Sequence, residues 1–118
     1  MRASTCPECA IPSRRNLTHY SCGMLRHILL IRLKPGVTTA QVDAFARAIE
    51  SVPFPGRHNV IVGRDIGARP GNMDLAVSND FPDEAAFRAW GEDPEHVRVR
   101  SELLAPIAER IERCLFLV

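Results

Sequence analysis

The sequence has almost no lysine. Lys34 stands alone among 15 basic residues, and the other fourteen are arginine, a skew that reads as codon bias before it reads as chemistry. Net charge is nearly absent as well, at +1, so no strong field favours a nucleic acid, an anionic membrane or an acidic substrate. Long apolar runs are missing. A run such as Ile28-Leu29-Leu30-Ile31 covers only a few residues, whereas a bilayer needs about 20, which excludes a membrane-spanning helix. The chain also lacks a Gly-rich phosphate loop, a G-x-S-x-G elbow and a His-Glu-x-x-His pair, so the familiar nucleotide, hydrolase and zinc-protease signatures are absent. What remains, with 46% hydrophobic and 25% charged residues in 118, is ordinary globular usage and one domain's worth of chain.

Composition changes at Met24. Residues 1–23 hold three of the four cysteines and carry three Arg against one Glu, with no helical or strand period. No apolar h-region marks a secretory signal. The segment is expected to be a disordered N-terminal extension, or the product of a start placed too far upstream, with residues 24–118 forming the domain. Cys6 and Cys9 make a C-x2-C pair, and His19 and Cys22 follow at H-x2-C. These four residues are of the types that close a tetrahedral zinc site. No apolar residues accompany them to pack around a metal, so the domain reading carries no metal and no cofactor.

From Met24 onward the periods are legible. Residues 25–33 alternate, with Leu25, His27, Leu29, Ile31 and Leu33 on one face and Arg26, Ile28, Leu30 and Arg32 on the other. Lys34-Pro35-Gly36 ends this strand. Thr38-x-x-Gln41 has the form of a capping box, and Val42, Phe45, Ala46 and Ile49 give the stripe of a helix over 38–51. A second strand is predicted over 59–66 and a third over 73–81, the latter with Leu75, Val77, Asn79 and Phe81 on one face and Asp74, Ala76, Ser78 and Asp80 on the other. Asp83 is placed to cap a second helix whose stripe is Ala86, Phe87 and Trp90. Gly91 to Pro94 interrupts it, a further helix spans about 95–104, Pro106 begins a short turn, and 111–118 forms the last strand.

The order β-α-β-β-α-β is the split βαβ arrangement, an α+β, ferredoxin-like fold with helices on one face of an antiparallel sheet. The other face would stay bare. Ile28 and Leu30 lie on it, and leaving such a face in water costs about 25 cal/mol per Å², so self-association into a two-fold dimer is the simple remedy. Strands one and three are antiparallel neighbours in this topology, which puts Arg32 near Asp74 and Arg26 near Asp80. The expected dimer face is thus Arg26, Ile28, Leu30, Arg32, Asp74 and Asp80, with ion pairs setting its register. An RNA-recognition module shares this order of elements, but such modules stack bases on aromatics of strands one and three. Here those strands offer only Phe81, at a strand end.

Two stretches carry a family resemblance. The first is Met24-Leu25-Arg26-His27-Ile28-Leu29-Leu30-Ile31-Arg32-Leu33-Lys34, a first strand with an early His and a basic residue near its end. The second runs from Phe81-Pro82-Asp83-Glu84 through Phe87 and Trp90 to Pro94-Glu95-His96: a strand-ending Phe, an acidic helix start, an aromatic, then Pro-x-His. In this order and topology the chain from Met24 onward resembles the stress-responsive A/B barrel (Dabb) domains of the dimeric α+β barrel superfamily. The resemblance implies an intracellular, cytoplasmic homodimer, with no nucleic-acid or membrane partner and in many cases no assigned activity. One branch of the family, the plant polyketide cyclases, closes a linear polyketide by aldol condensation without a cofactor. The resemblance carries its catalytic His to His96, its assisting Tyr to Trp90, a further pocket His to Leu75 and the first-strand His to His27. Trp90 replaces a phenol by an indole, which donates a hydrogen bond but does not act as an acid or base near neutral pH.

The candidate site follows. His27 shares the helix-covered side with Leu29, Ile31, Leu75, Val77 and Phe81, and Phe87 and Trp90 would close over it. These eight residues are the expected pocket lining, sized for a small apolar or aromatic ligand. His96 is the candidate catalytic residue: at a helix N-terminus the dipole disfavours its protonation, and a neutral imidazole can act as a general base. The structural alternatives are a packed core imidazole at 27 and a helix-start residue bonding the backbone at 96. His58, after Pro55-Gly56-Arg57, reads as an exposed loop residue.

Overall fold

The computed structural model describes residues 23–118. All but the last residue of the expected N-terminal extension, and with it the candidate zinc ligands Cys6, Cys9, His19 and Cys22, lie outside the described residues. The elements are β1 (Leu25–Leu33), α1 (Thr39–Ser51), β2 (His58–Arg64), β3 (Leu75–Phe81), α2 (Glu84–Glu92), α3 (Pro94–Val99) continuing into a π-helical segment (Arg100–Leu104), and β4 (Ala108–Leu117). They form the α+β, ferredoxin-like fold, with one antiparallel four-stranded sheet in the order β2-β3-β1-β4.

The local signals act as expected at the start of α1. Gln41 N donates to Thr38 Oγ1 at 3.1 Å, and Thr38 N donates to Gln41 Oε1 at 2.9 Å, which closes the capping box. The stripe Val42, Phe45 and Ile49 is buried against Ile31, Leu75, Val77 and Phe81 from the sheet and Trp90, Val99, Leu104 and Ile107 from the C-terminal half. Gly36, at φ 84°, takes the left-handed turn after β1 that a Cβ would strain. Asp83 Oδ1 accepts from Ala86 N and caps α2, and Asp93 Oδ2 does the same for His96 N at the start of α3.

Some boundaries differ from expectation. β4 begins at Ala108, three residues early, because the turn Ala105–Ile107 is short and Ile107 already accepts through its carbonyl from Lys34 N. β3 begins at Leu75 and β2 ends at Arg64, each two residues inside the expected range. The helix over 95–104 is α-helical only to Val99, and Ala105 N then donates to Arg100 O, the wider i→i+5 bond.

The predicted Arg32–Asp74 ion pair does not form. The β1–β3 ladder stops at Ile31↔Leu75. Beyond it Asp74 N bonds Ile31 O, and the Asp74 carboxylate accepts from Leu33 N at 2.8 Å. Arg32 instead reaches the carbonyls of Gly71 and Asn72, each at 3.1 Å. The second expected pair is present: Arg26 grips Asp80 with two hydrogen bonds, at 2.8 and 2.9 Å, as the register Arg26↔Asp80 requires. Asn59, held in the left-handed region at φ 52°, adds a third bond to Asp80 at 2.7 Å. Burial raises the Asp80 pKa, but the bonds from Arg26 and Asn59 outweigh it and hold the carboxyl below its ordinary value. Asp80 is almost fully buried, so it underlies the helix-free face instead of presenting a charge on it.

Ile28 and Leu30 of β1 lie on that helix-free face. The register puts Ile28 beside Ser78 and Cys114, Leu30 beside Ala76, and Arg26 beside Phe116. Leu30 (37%), Phe116 (42%) and Ile61 (59%) are exposed.

Candidate functional site

On the other face the helices do not close completely over the sheet. A cavity of about 140 Å³ remains between them, and its floor is a strip across three strands. His27 on β1 pairs with Asn79 on β3 and with Leu115 on β4, and Arg113 pairs with Leu29 two residues along. Side chains opposite and diagonal on one face are within reach of each other. Asn79, His27 and Arg113 therefore follow one another across the floor beside Leu29 and Val77. The walls come from Phe45 and Ile49 of α1, Phe87 and Trp90 of α2, His96 of α3, and Arg100 and Leu104 of the π-helical segment.

His96 is held by two helix ends. Its backbone N–H is used in the Asp93 cap, and its ring Nδ1 lies 2.7 Å from Trp90 O, the last-turn carbonyl of α2. A carbonyl only accepts, so Nδ1 carries the proton and donates, and Nε2 is left as a bare acceptor. The imidazole also stacks on the Trp90 ring at 3.8 Å between centroids, 12° from parallel. Its pKa is lowered to about 4. Burial is the largest cause, opposed by the bond to Trp90 O, and Arg100 and Arg57 lower it further. The neutral state expected from the helix position is thus present, but desolvation is its principal origin. His27 is likewise held below its ordinary value, by burial and then by the Arg113 charge. Its ring meets Phe87 at 4.9 Å and has no hydrogen-bond partner among the described residues.

Of the eight expected lining residues, His27, Leu29, Val77, Phe87 and Trp90 border the cavity. Ile31, Leu75 and Phe81 do not. They are sealed in the core at 0%, 3% and 0% exposure: Ile31 and Leu75 pair at one end of the β1–β3 ladder within the main cluster, and Phe81, at the other end, is covered by Phe87 and Trp90 of α2. Four polar contributors went unpredicted. Asn79, Arg100 and Arg113 line the cavity, and Arg57 lies behind it. Arg57 is the least expected. Its Nε donates to Asn79 Oδ1 at 2.9 Å, and its Nη2 donates to Ile49 O, a helical carbonyl whose usual donor would be the absent N–H of Pro53. Its guanidinium carbon sits 4.3 Å from the Trp90 ring centre. Burial lowers its pKa to about 10, partly opposed by Glu50, so it is charged at neutral pH. Proximity to Pro55-Gly56 was the only local cue, and it suggested a loop. Among the described residues, no group of three or more His, Cys, Asp or Glu is placed to hold a metal ion.

The family model for the stress responsive A/B barrel domain, Dabb, matches residues 25–114, nearly all of the described chain. The chain belongs to the Dabb family. A dimeric ferredoxin-like protein of unknown function from Thermobifida fusca is similar at 32% identity and a TM-score of 0.75, over 88% of this chain and 100% of that one. A Dabb family protein from Mesorhizobium loti shares the fold at 20% identity and a TM-score of 0.67, over 81% and 97%. A hydroxynitrile lyase from Passiflora edulis shares it at 20% identity and a TM-score of 0.72, over 81% and 94%. No curated protein matches. Among the described residues no helix of this Dabb domain is long and apolar enough to cross a membrane.

Proposed function

We propose that this Dabb domain works as a homodimer whose pocket takes a small, mainly apolar molecule, and that His96 accepts a proton from it. The carrying observation is the state of His96. It is neutral, its tautomer is fixed by Trp90 O, and it borders a cavity whose walls are otherwise largely apolar. A bare Nε2 in a desolvated site is a hydrogen-bond acceptor that becomes a base when charge develops on its partner. Dimerisation is supported by Leu30, Ile61 and Phe116 on the helix-free face and by the dimeric state of the Thermobifida fusca relative.

The polyketide-cyclase reading is the more specific alternative. It needs an acid beside the base, and the position its resemblance assigns to a phenol is Trp90, whose ring is stacked against His96. A hydroxynitrile lyase shares the fold, and that likeness does not choose a reaction for this chain. The test is a turnover screen of small aldehydes, ketones and hydroxynitriles on the full chain, paired with sedimentation. Turnover lost in His96→Gln, in a particle of twice the chain mass, is the expected result. Turnover unchanged by that substitution overturns the role of His96, and a monomer at micromolar concentration overturns the dimer.

A further inference from the structure

The polar groups around the cavity are unbalanced in one direction. Asn79 is 2% exposed, and its Oδ1 is committed to Arg57 Nε. That bond fixes the amide orientation and leaves Nδ2 with no acceptor among the described residues, a buried donor left unmet. Arg100 and Arg113 both line the cavity, and neither has a hydrogen-bond or ion-pair partner among the described residues. Arg26, Arg88, Arg98 and Arg110 each hold a carboxylate, while the exposed Arg47, Arg64 and Arg69 are unpaired among the described residues as Arg100 and Arg113 are; what sets Arg100 and Arg113 apart is their place at the cavity beside the buried Asn79 amide. No Asp or Glu lines the cavity, and both of its histidines are pushed toward neutrality. The pocket thus combines two unpaired guanidiniums and an orphaned amide N–H₂ with an aromatic and aliphatic wall.

We propose that the ligand of this pocket is a single-ring monocarboxylate, its ring against Phe45, Phe87 and Leu104 and its carboxylate received by Arg113, Arg100 and the Asn79 amide. The inference rests on the pocket being a ligand site, and it names the ligand's class. Size supports one ring: a cavity of about 150 Å³ with apolar walls holds benzene, and this one measures about 140 Å³. Charge supports a carboxylate, since guanidinium groups bind carboxylates with short, charge-assisted bonds. Arg100 and Arg113 are exposed residues that border the cavity, so both are free to turn onto an anion held there, and a cationic compound would be repelled.

The test is calorimetric titration of the full chain with benzoate, with its neutral near-isostere benzamide, and with benzylammonium. Benzoate is expected to bind at least tenfold more tightly than benzamide, and benzylammonium not to bind. The Arg100→Gln/Arg113→Gln double variant should bring benzoate down to the benzamide level while benzamide binding holds. Asn79→Asp, which keeps an acceptor for Arg57 but exchanges the orphan donors for negative charge, should abolish the benzoate preference by a second route. Equal binding of benzoate and benzamide by the unsubstituted chain overturns the carboxylate class and leaves the pocket standing. Binding of none of the three probes overturns both the class and the pocket reading beneath it.

Discussion

Arg57→Met is the substitution that presses hardest on the interior. Methionine matches the arginine stem in length and apolar character, so the change removes donors and charge with little loss of packing. Asn79 Oδ1 and Ile49 O lose their partners, and Val52 O loses a weaker bond at 3.4 Å. Two well-made bonds whose acceptors become buried and unmet cost about 1–3 kcal/mol each, and the lost cation–π contact with Trp90 adds about 1 kcal/mol. Relief from burying a guanidinium offsets part of this. The net expectation is about 3 kcal/mol, a large fraction of the 5–15 kcal/mol typical of a domain. At about 4–8 °C per kcal/mol for a domain of this size, the midpoint should fall by roughly 12–24 °C. Trp90 is the only tryptophan and lies in contact with Arg57, so urea unfolding followed by intrinsic fluorescence reads both stability and the altered stack. Arg57→Lys should recover little, because an ammonium cannot span Asn79 and Ile49 in the fixed fork of a guanidinium. A loss under about 1 kcal/mol in Arg57→Met would refute the idea that this residue completes the end of α1 and the pocket's rear wall.

Asp80→Asn should destabilise by about 2 kcal/mol in chemical denaturation. The carboxylate is buried, while Arg26 keeps about a third of its side chain in solvent and so screens part of the interaction. Because Asp80 titrates below its ordinary value when folded, its contribution is present at neutral pH and should be lost in acid, as pH falls through the folded value; an acid limb identical in Asp80→Asn would contradict this. His96 adds a second pH dependence. Its folded value of about 4 lies below the ordinary 6.5, so the unfolded chain binds the extra proton first, and stability should decline from pH 6.5 toward 4 by at most about 3 kcal/mol. His96→Gln should flatten that limb, and an unchanged slope would show that the ring is not desolvated. Leu30→Glu places a charge in the middle of the helix-free face and should weaken the dimer at least tenfold in sedimentation, with no change in the pocket.

Much of the fold was legible because its signals are local. The Thr38/Gln41 box, the Lys34-Pro35-Gly36 stop, the Asp83 cap and the alternation in β1 each depend on residues within a few positions of one another. The misread features depend on register. The Arg32–Asp74 pairing assumed that the ladder ran on past Leu75, but the Leu33 N–H takes the Asp74 carboxylate and Arg32 turns to the carbonyls of Gly71 and Asn72. The site divides the same way. His27 and His96 stand out by type. Asn79 shares the inward face of its strand with Val77 and Phe81 but shows no role there, and Arg100 and Arg113 look like ordinary surface polar residues, until the β1–β3 and β1–β4 registers and the π-helical turn bring the three to one cavity. The one sequence cue at Arg57, the Pro55-Gly56 turn before it, points to a loop and not to the site, since its partners Ile49 O and Val52 O are carbonyls exposed by the helix end and by Pro53.

The central claim is that His96 presents a bare Nε2 to an open pocket. Long-range nitrogen-15 correlation spectra of the imidazoles, recorded from pH 8 to pH 4, test it directly. The account predicts a proton on Nδ1 and none on Nε2 down to about pH 5, a midpoint near 4, and a change at Nε2 when benzoate is added. A proton on Nε2 at neutral pH, or a midpoint near 6.5 with no response to the probe, would contradict it.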